Sequence, residues 1–238
     1  MTAEALPVIH RVTTLDLGLS PWSWPFAEAR RADIAAHFAA KQSEKPELWN
    51  GRVLLARNPV FTAGRFAAGY FETDFASFLA WRDWGFPDES VFNGFGMGAL
   101  RGADGAFVLG EMGQHTANAG RIYFASGTPD LDDISGDAVD IAGSVAREVE
   151  EETGLTPADY RAAPYWDCVV SGRAIAMIRM LNVDVSGEEL RARIDANLAR
   201  QTQPELVAIH LVRGVSDLTA AMPRFVTAFI EAQLATSS

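Results

Sequence analysis

Arg147-Glu148-Val149-Glu150-Glu151-Glu152-Thr153-Gly154-Leu155 sets more negative charge on one stretch of helix than local electrostatics favours. A helix advances about 100° per residue, so Glu148, Glu151 and Glu152, at i, i+3 and i+4, share a face while Glu150 points away. Like charges at that spacing repel. Gly154 suits the left-handed position just past a helix end, so the spacing also turns the cluster toward the negative end of the helix macrodipole. A cation must compensate. Hard divalent ions take oxygen ligands, retain several waters and bridge carboxylates to phosphates, which turns the liability into a site. Upstream, Asp137 or Asp140 is placed to cap the helix, and Ala142, Val145 and Val149 are predicted to form its apolar stripe.

The same residues resemble the signature of the Nudix hydrolase family, which runs Gly, five residues, Glu, seven residues, then Arg-Glu-aliphatic-any-Glu-Glu-any-Gly-aliphatic. Residues 147–155 match its second half at every specified position. The first half departs from it. Counting back from Arg147, the expected Glu falls on Val139 and the expected Gly on Asp133, with Asp140 one residue late for the Glu. Ala125-Ser126-Gly127-Thr128-Pro129-Asp130 resembles the family's Gly-rich entry to this loop, and the longer stretch that follows, through Asp140, reads as an insertion.

The resemblance implies a Nudix α/β/α sandwich with a mixed sheet over residues 91–238, and an N-terminal, β-containing extension (1–90) packed on it. It implies hydrolysis of the pyrophosphate bond in a nucleoside diphosphate linked to another moiety, with Mg²⁺ or Mn²⁺ and an attacking water. Glu148, Glu151 and Glu152 are then the metal ligands, with Glu151 and Glu152 matching the paired glutamates of the signature. Arg147 orients a carboxylate through a charged hydrogen bond. The family often places its general base on a loop before a late strand, where Glu205 stands, although Glu205 reads equally as an exposed loop glutamate. Glu188 and Glu189 are already explained by a helix start. The segment Gly113 to Arg121 lies where Nudix proteins contact substrate, making His115, Arg121 and Gly127 the substrate-binding candidates, with an ordinary loop role as the alternative for the first two. Trp49-Asn50-Gly51 resembles Nudix proteins that cleave UDP-sugars, which puts a sugar nucleotide ahead of ADP-ribose or a dinucleotide. Two other readings stay open: a non-catalytic Nudix-fold ligand sensor and a Nudix-related isomerase, the latter lacking a catalytic context for Cys168.

Periodicity places the other elements. Strands are predicted near 52–58, 64–75, 95–101, 106–112, 121–125, 165–170, 174–185 and 206–212. A short helix follows over 76–84, with Phe78, Ala80, Trp81 and Trp84 on its apolar side. Ser186 and Glu189 have capping-box spacing before Leu190, Ile194 and Leu198, and Pro223 opens a C-terminal helix. Trp22, Trp24, Trp49, Trp81 and Trp84 read as core or packing surface.

With 238 residues, nearly half of them apolar, the chain has the material for a substantial core. No apolar run approaches a membrane span and no secretory signal is evident, so a cytoplasmic protein without a membrane partner is expected. The lone cysteine excludes an intramolecular disulfide and reads as a small buried side chain. A net charge of −11 argues against nonspecific attraction to nucleic acid and leaves a small phosphorylated molecule as the expected partner. A homodimer is compatible with all of this.

Overall fold

The computed structural model describes residues 6–236. In chain order the elements are β1 (Val8–Leu19), α1 (Pro25–Ala29), α2 (Arg31–Glu44), β2 (Arg52–Thr62), β3 (Gly64–Asp74), α3 (Phe75–Asp83), β4 (Val91–Arg101), β5 (Phe107–Met112), β6 (Ile122–Tyr123), β7 (Ala125–Gly127), β8 (Ile134–Ser135), β9 (Ala138–Val139), α4 (Ile141–Thr153), β10 (Arg161–Ala162), β11 (Trp166–Ser171), β12 (Ala174–Asn182), α5 (Gly187–Leu198), β13 (Leu206–Val212) and α6 (Arg224–Thr236).

Strand β4 sets up the layers. Phe95 meets Phe225 of α6 with ring centroids 5.5 Å apart. Its neighbour Gly96 faces the other way, where an added Cβ would lie 2.5 Å from Val145 Cγ2 of α4, and Gly98 has the same closeness to Val149 Cγ2. Successive strand residues point to opposite faces, so α4 and α6 sandwich the sheet at β4. On the α6 side, Phe107 and Phe124 continue the packing onto Phe229, at 6.1 and 5.7 Å. Helix α5 lies beside α4, against β13 and β5.

The thirteen strands among the described residues join in one sheet, in the order β10-β12-β11-β1-β3-β2-β4-β5-β13, with β6 on β5, β7 on β4 and the β8–β9 hairpin on β1. Strands β1 and β3, and β4 and β12, pair in parallel, whereas β2–β3, β11–β12 and β5–β13 are antiparallel. The fold is therefore mixed α/β, as the sequence implied. Because β4 pairs with both β2 and β12, the path β12-β11-β1-β3-β2-β4 closes on itself. One core runs through this circuit and joins Leu54, Phe66 and Tyr70 to Phe95, Met97 and Met177. The buried Tyr70 hydroxyl donates to Gly94 O at 3.1 Å. A smaller aromatic core holds Trp24, Phe71, Phe78 and Trp81, with both indole N–H groups donating to Asp88.

Three expectations change. Residues 121–125 do not form one strand: Phe124 turns into the core between β6 and β7, which pair with different neighbours. Ala142 is exposed, and the buried stripe of α4 is Ile141, Val145 and Val149, because the Asp140 cap starts the helix with Ile141 facing the sheet. Trp49 is 81% exposed rather than packed. The longer stretch before α4 is woven into the sheet, since Leu19 N–H donates to Asp137 O and Leu54 N–H to Pro129 O. No helix among the described residues is long and apolar enough to cross a membrane.

Candidate active site

Helix α4 is built to carry charge on one side. Asp140 caps it by accepting from Gly143 N–H at 2.9 Å, and Gly154, at φ +77°, ends it in the left-handed conformation. Its buried stripe docks on β4 where Gly96 and Gly98 remove the side chains that would hold it off. This close docking fixes which way the carboxylates point.

The four glutamates then separate. Glu150 is exposed, as its position on the far side requires. Glu151 is 60% exposed, and Arg147 Nη1 reaches it at 3.6 Å. Glu148 is largely buried and takes Arg147 Nη1 at 3.0 Å. Glu152 is 5% exposed, and its carboxylate accepts only a long 3.5 Å bond from Ser126 N–H. Burial pushes the Glu148 carboxyl up to about 7, against the opposing pull of Arg147, with Glu151 and Glu205 adding to the rise. Glu152 is raised well above its ordinary value, first by burial and then by the charges of Glu148 and Glu205. A buried carboxylate with so little hydrogen bonding, near other carboxylates, carries the kind of charge a hard cation would offset. Among the described residues, however, no three such side chains already stand close enough together to hold an ion. Arg147 instead pairs with both Glu148 and Glu151.

Glu205 stands at the start of β13, exposed, and acts electrostatically on Glu148, Glu152 and Tyr123. Its carbonyl accepts from Gly113 N–H at 2.7 Å, which brings the 113–120 loop to the same place. His115 sits half-buried in that loop and Arg121 ends it, exposed. Gly127 lies against Glu148: an added Cβ would be 2.6 Å from Cδ and closer still to Oε1. Gly127 is not among the residues with positive φ, so close approach and not backbone conformation is what excludes a side chain here.

No family model matches the sequence and no curated protein matches it. Solved structures do share its chain path. The MutT protein of Methanosarcina mazei Go1 overlaps 62% of this chain and 96% of its own, at 17% identity and a TM-score of 0.39. A Nudix hydrolase from Nitrosomonas europaea overlaps 61% and 90%, at 15% and 0.40, and RenU of M. smegmatis 60% and 84%, at 13% and 0.38. Its structural neighbours are Nudix hydrolases. At such identities and scores the overlap carries no argument, and the chemistry is read from the side chains.

Two residues that sequence reasoning passed over complete the site. Asp133, where the Nudix signature has Gly, is buried and accepts from Arg147 Nη2 at 3.0 Å and from Ser144 Oγ at 3.1 Å. It anchors the arginine that holds Glu148 and Glu151, while Val139, at the signature's Glu position, is buried apolar packing. The only hint was an acidic residue at a position expected to be Gly. Tyr123 is buried beside the carboxylates, and burial together with Glu152, Glu205 and Glu148 raises its phenol far above the usual range. In the sequence it read only as strand. Glu188 and Glu189 stand apart in surface ion pairs with Arg191, Arg213 and Arg193.

Proposed function

We propose that the chain is a Nudix-type pyrophosphohydrolase that splits a nucleoside diphosphate linked to another moiety, a sugar nucleotide ahead of ADP-ribose. The observation that carries this reading is the buried Glu152 carboxylate, without a cationic partner among the described residues and under the charges of Glu148 and Glu205. Glu148, Glu151 and Glu152 would hold Mg²⁺ or Mn²⁺, which when bound supplies Lewis-acid stabilisation of charge on the phosphate oxygens.

Hydrolysis forms one bond from the water oxygen to a phosphorus and breaks the bond from that phosphorus to the bridging oxygen, giving two phosphorylated products. Glu205 takes the proton of the attacking water, a role favoured by its exposed place beside the buried pair. Arg147, fixed by Asp133, orients Glu148 and Glu151. His115 and Arg121 contact the nucleoside and phosphate portions, and Gly127 keeps its strand close against Glu148.

Turnover measured over a panel of nucleoside diphosphate sugars, ADP-ribose and dinucleotides, with Mg²⁺ and then with chelator, tests this directly. Hydrolysis that stops on chelation is the expected result. Saturable binding of the panel without hydrolysis would instead support a ligand sensor, a reading favoured by the incompletely gathered carboxylates. The isomerase reading loses ground. Cys168 is buried in β11 and its thiol is pushed up to about 12, conditions that suppress the reactive thiolate.

A further inference from the structure

Residues 113–120 form a closed loop: Met112 N–H donates to Arg121 O and Gly120 N–H to Met112 O, pinning its base. Compact surface loops with adjoining ends frequently serve function. Three bonds from separate parts of the chain hold it. Gly113 N–H donates to the carbonyl of Glu205, on the loop before β13, at 2.7 Å. Asn118 Nδ2 donates to the hydroxyl of Tyr123 at 3.1 Å, and Tyr123 lies beside the carboxylates. The third comes from the amino-terminal segment: Lys45, just past the end of α2, donates from Nζ to Thr116 O at 2.8 Å.

The Lys45 bond is the unexpected one. The chain carries 31 acidic against 20 basic residues, so a lysine has a choice of carboxylate partners. Lys45 is half-buried, makes no ion pair among the described residues, and spends its ammonium on a loop carbonyl. Ordering so flexible a side chain costs about 2 kcal/mol of rotamer entropy, which a charged hydrogen bond to a neutral carbonyl must offset. The bond sits at the middle of the loop, between His115 and Asn118. There it restrains the part of the loop farthest from the pinned base.

We propose that Lys45 is a positioning residue of the active site, holding the 113–120 loop in its substrate-receiving position, so that the amino-terminal segment sets substrate affinity without touching the reacting atoms. This rests on the pyrophosphohydrolase reading for its kinetic consequence, but the restraint on the loop does not. Lys45→Met retains the aliphatic stem and removes the donor, and Lys45→Arg restores one.

The experiment combines hydrogen exchange of the 113–120 amides with steady-state kinetics on the best substrate of the panel, in the full chain. Lys45→Met is expected to speed exchange within 114–119 and to raise KM roughly tenfold while kcat stays within about twofold, with Lys45→Arg recovering most of both. Unchanged exchange and unchanged KM would overturn the proposal. So would a loss in both KM and kcat, accompanied by a lower Tm and no recovery in Lys45→Arg, since that is the signature of general destabilisation. If the wild-type protein hydrolyses nothing, the pyrophosphohydrolase reading fails, and the exchange measurement alone decides whether Lys45 holds the loop.

Discussion

Glu152 sits where an ionised carboxylate is least stable, buried with one long hydrogen bond and other carboxylates close by. Glu152→Gln keeps its shape and removes its charge. Mg²⁺-dependent turnover should fall by roughly two orders of magnitude or more, while metal-free stability above pH 7 rises, because a buried charge has been deleted. Full activity in this variant would remove Glu152 from the site. Glu205→Gln tests a different duty. Its maximal rate should drop by about two to four orders of magnitude, the span for losing a general base, with Mg²⁺ affinity nearly unchanged in a titration followed by thermal shift. A drop of less than about threefold would return Glu205 to the status of a surface residue. At Gly127 an alanine methyl would meet the Glu148 carboxylate. The far end of Glu148 can swing away, so Gly127→Ala should lower kcat by about tenfold or more and leave Tm nearly unaltered. An unaltered rate would sever the link between this strand and the catalytic face.

Helix α4 is seated on the sheet by its close fit to β4. A Cβ at Gly98 would lie 2.5 Å from Val149 Cγ2 and 2.8 Å from Leu181 Cδ1, both fully buried. Overpacking of this kind typically costs about 1–3 kcal/mol. Gly98→Ala is therefore expected to lower the free energy of unfolding in urea by that amount, and to reduce activity besides, because lifting α4 moves all of its glutamates. A variant as stable and active as the parent would show that α4 is not seated by these glycines. The pre-helix segment adds a second constraint, as the 3-10 turn at Leu131–Asp133 places Asp133 under Arg147 and β9 pairs with β1 through Gly18 and Ala138. The loop that departs from the Nudix spacing thus ties the catalytic helix to the first strand of the chain.

For the molecule as a whole, the buried glutamates make stability depend on pH and, under the proposed function, on divalent ions as well. Burial raises Glu148 from 4.5 to about 7 and moves Glu152 the same way. The folded protein then holds protons that the unfolded chain has already released, so without a divalent ion this contribution is most favourable below the ordinary glutamate value. It declines as pH rises through about 7. A divalent ion held by the ionised forms, as proposed, would offset the loss. In chelator, wild-type Tm relative to Glu152→Gln should fall between pH 5 and 8. Mg²⁺ at about a hundred times its Kd should add roughly 2.7 kcal/mol of stability at pH 8, several degrees in Tm for a chain of this size, and much less at pH 5. Equal Mg²⁺ shifts at both pH values would contradict the site.

The charge pattern of residues 147–155 was enough to place this helix, its Gly154 end and the glutamate face, because these follow from helical periodicity and local capping alone. The strands at 64–74, 166–171 and 206–212 were legible for the same reason, as runs whose apolar pattern matches one local geometry. Strand β1 was not, since its buried residues are Val12 and Leu17 and the rest of its order comes from pairing with β3 and β11. Nor was α2, whose buried side is only Ile34 and Phe38. Glu152 continues the stripe of Val145 and Val149 at helical spacing, which separates it from the exposed Glu151, but the depth of its burial and the role of Asp133 as the anchor of Arg147 are not local properties. Those differences arise when α4 docks on β4 and β7, for burial and its effect on charge belong to the packed helix and not to its sequence. The meeting of Glu205, Tyr123 and the 113–120 loop beside that helix likewise required the sheet to bring distant segments together.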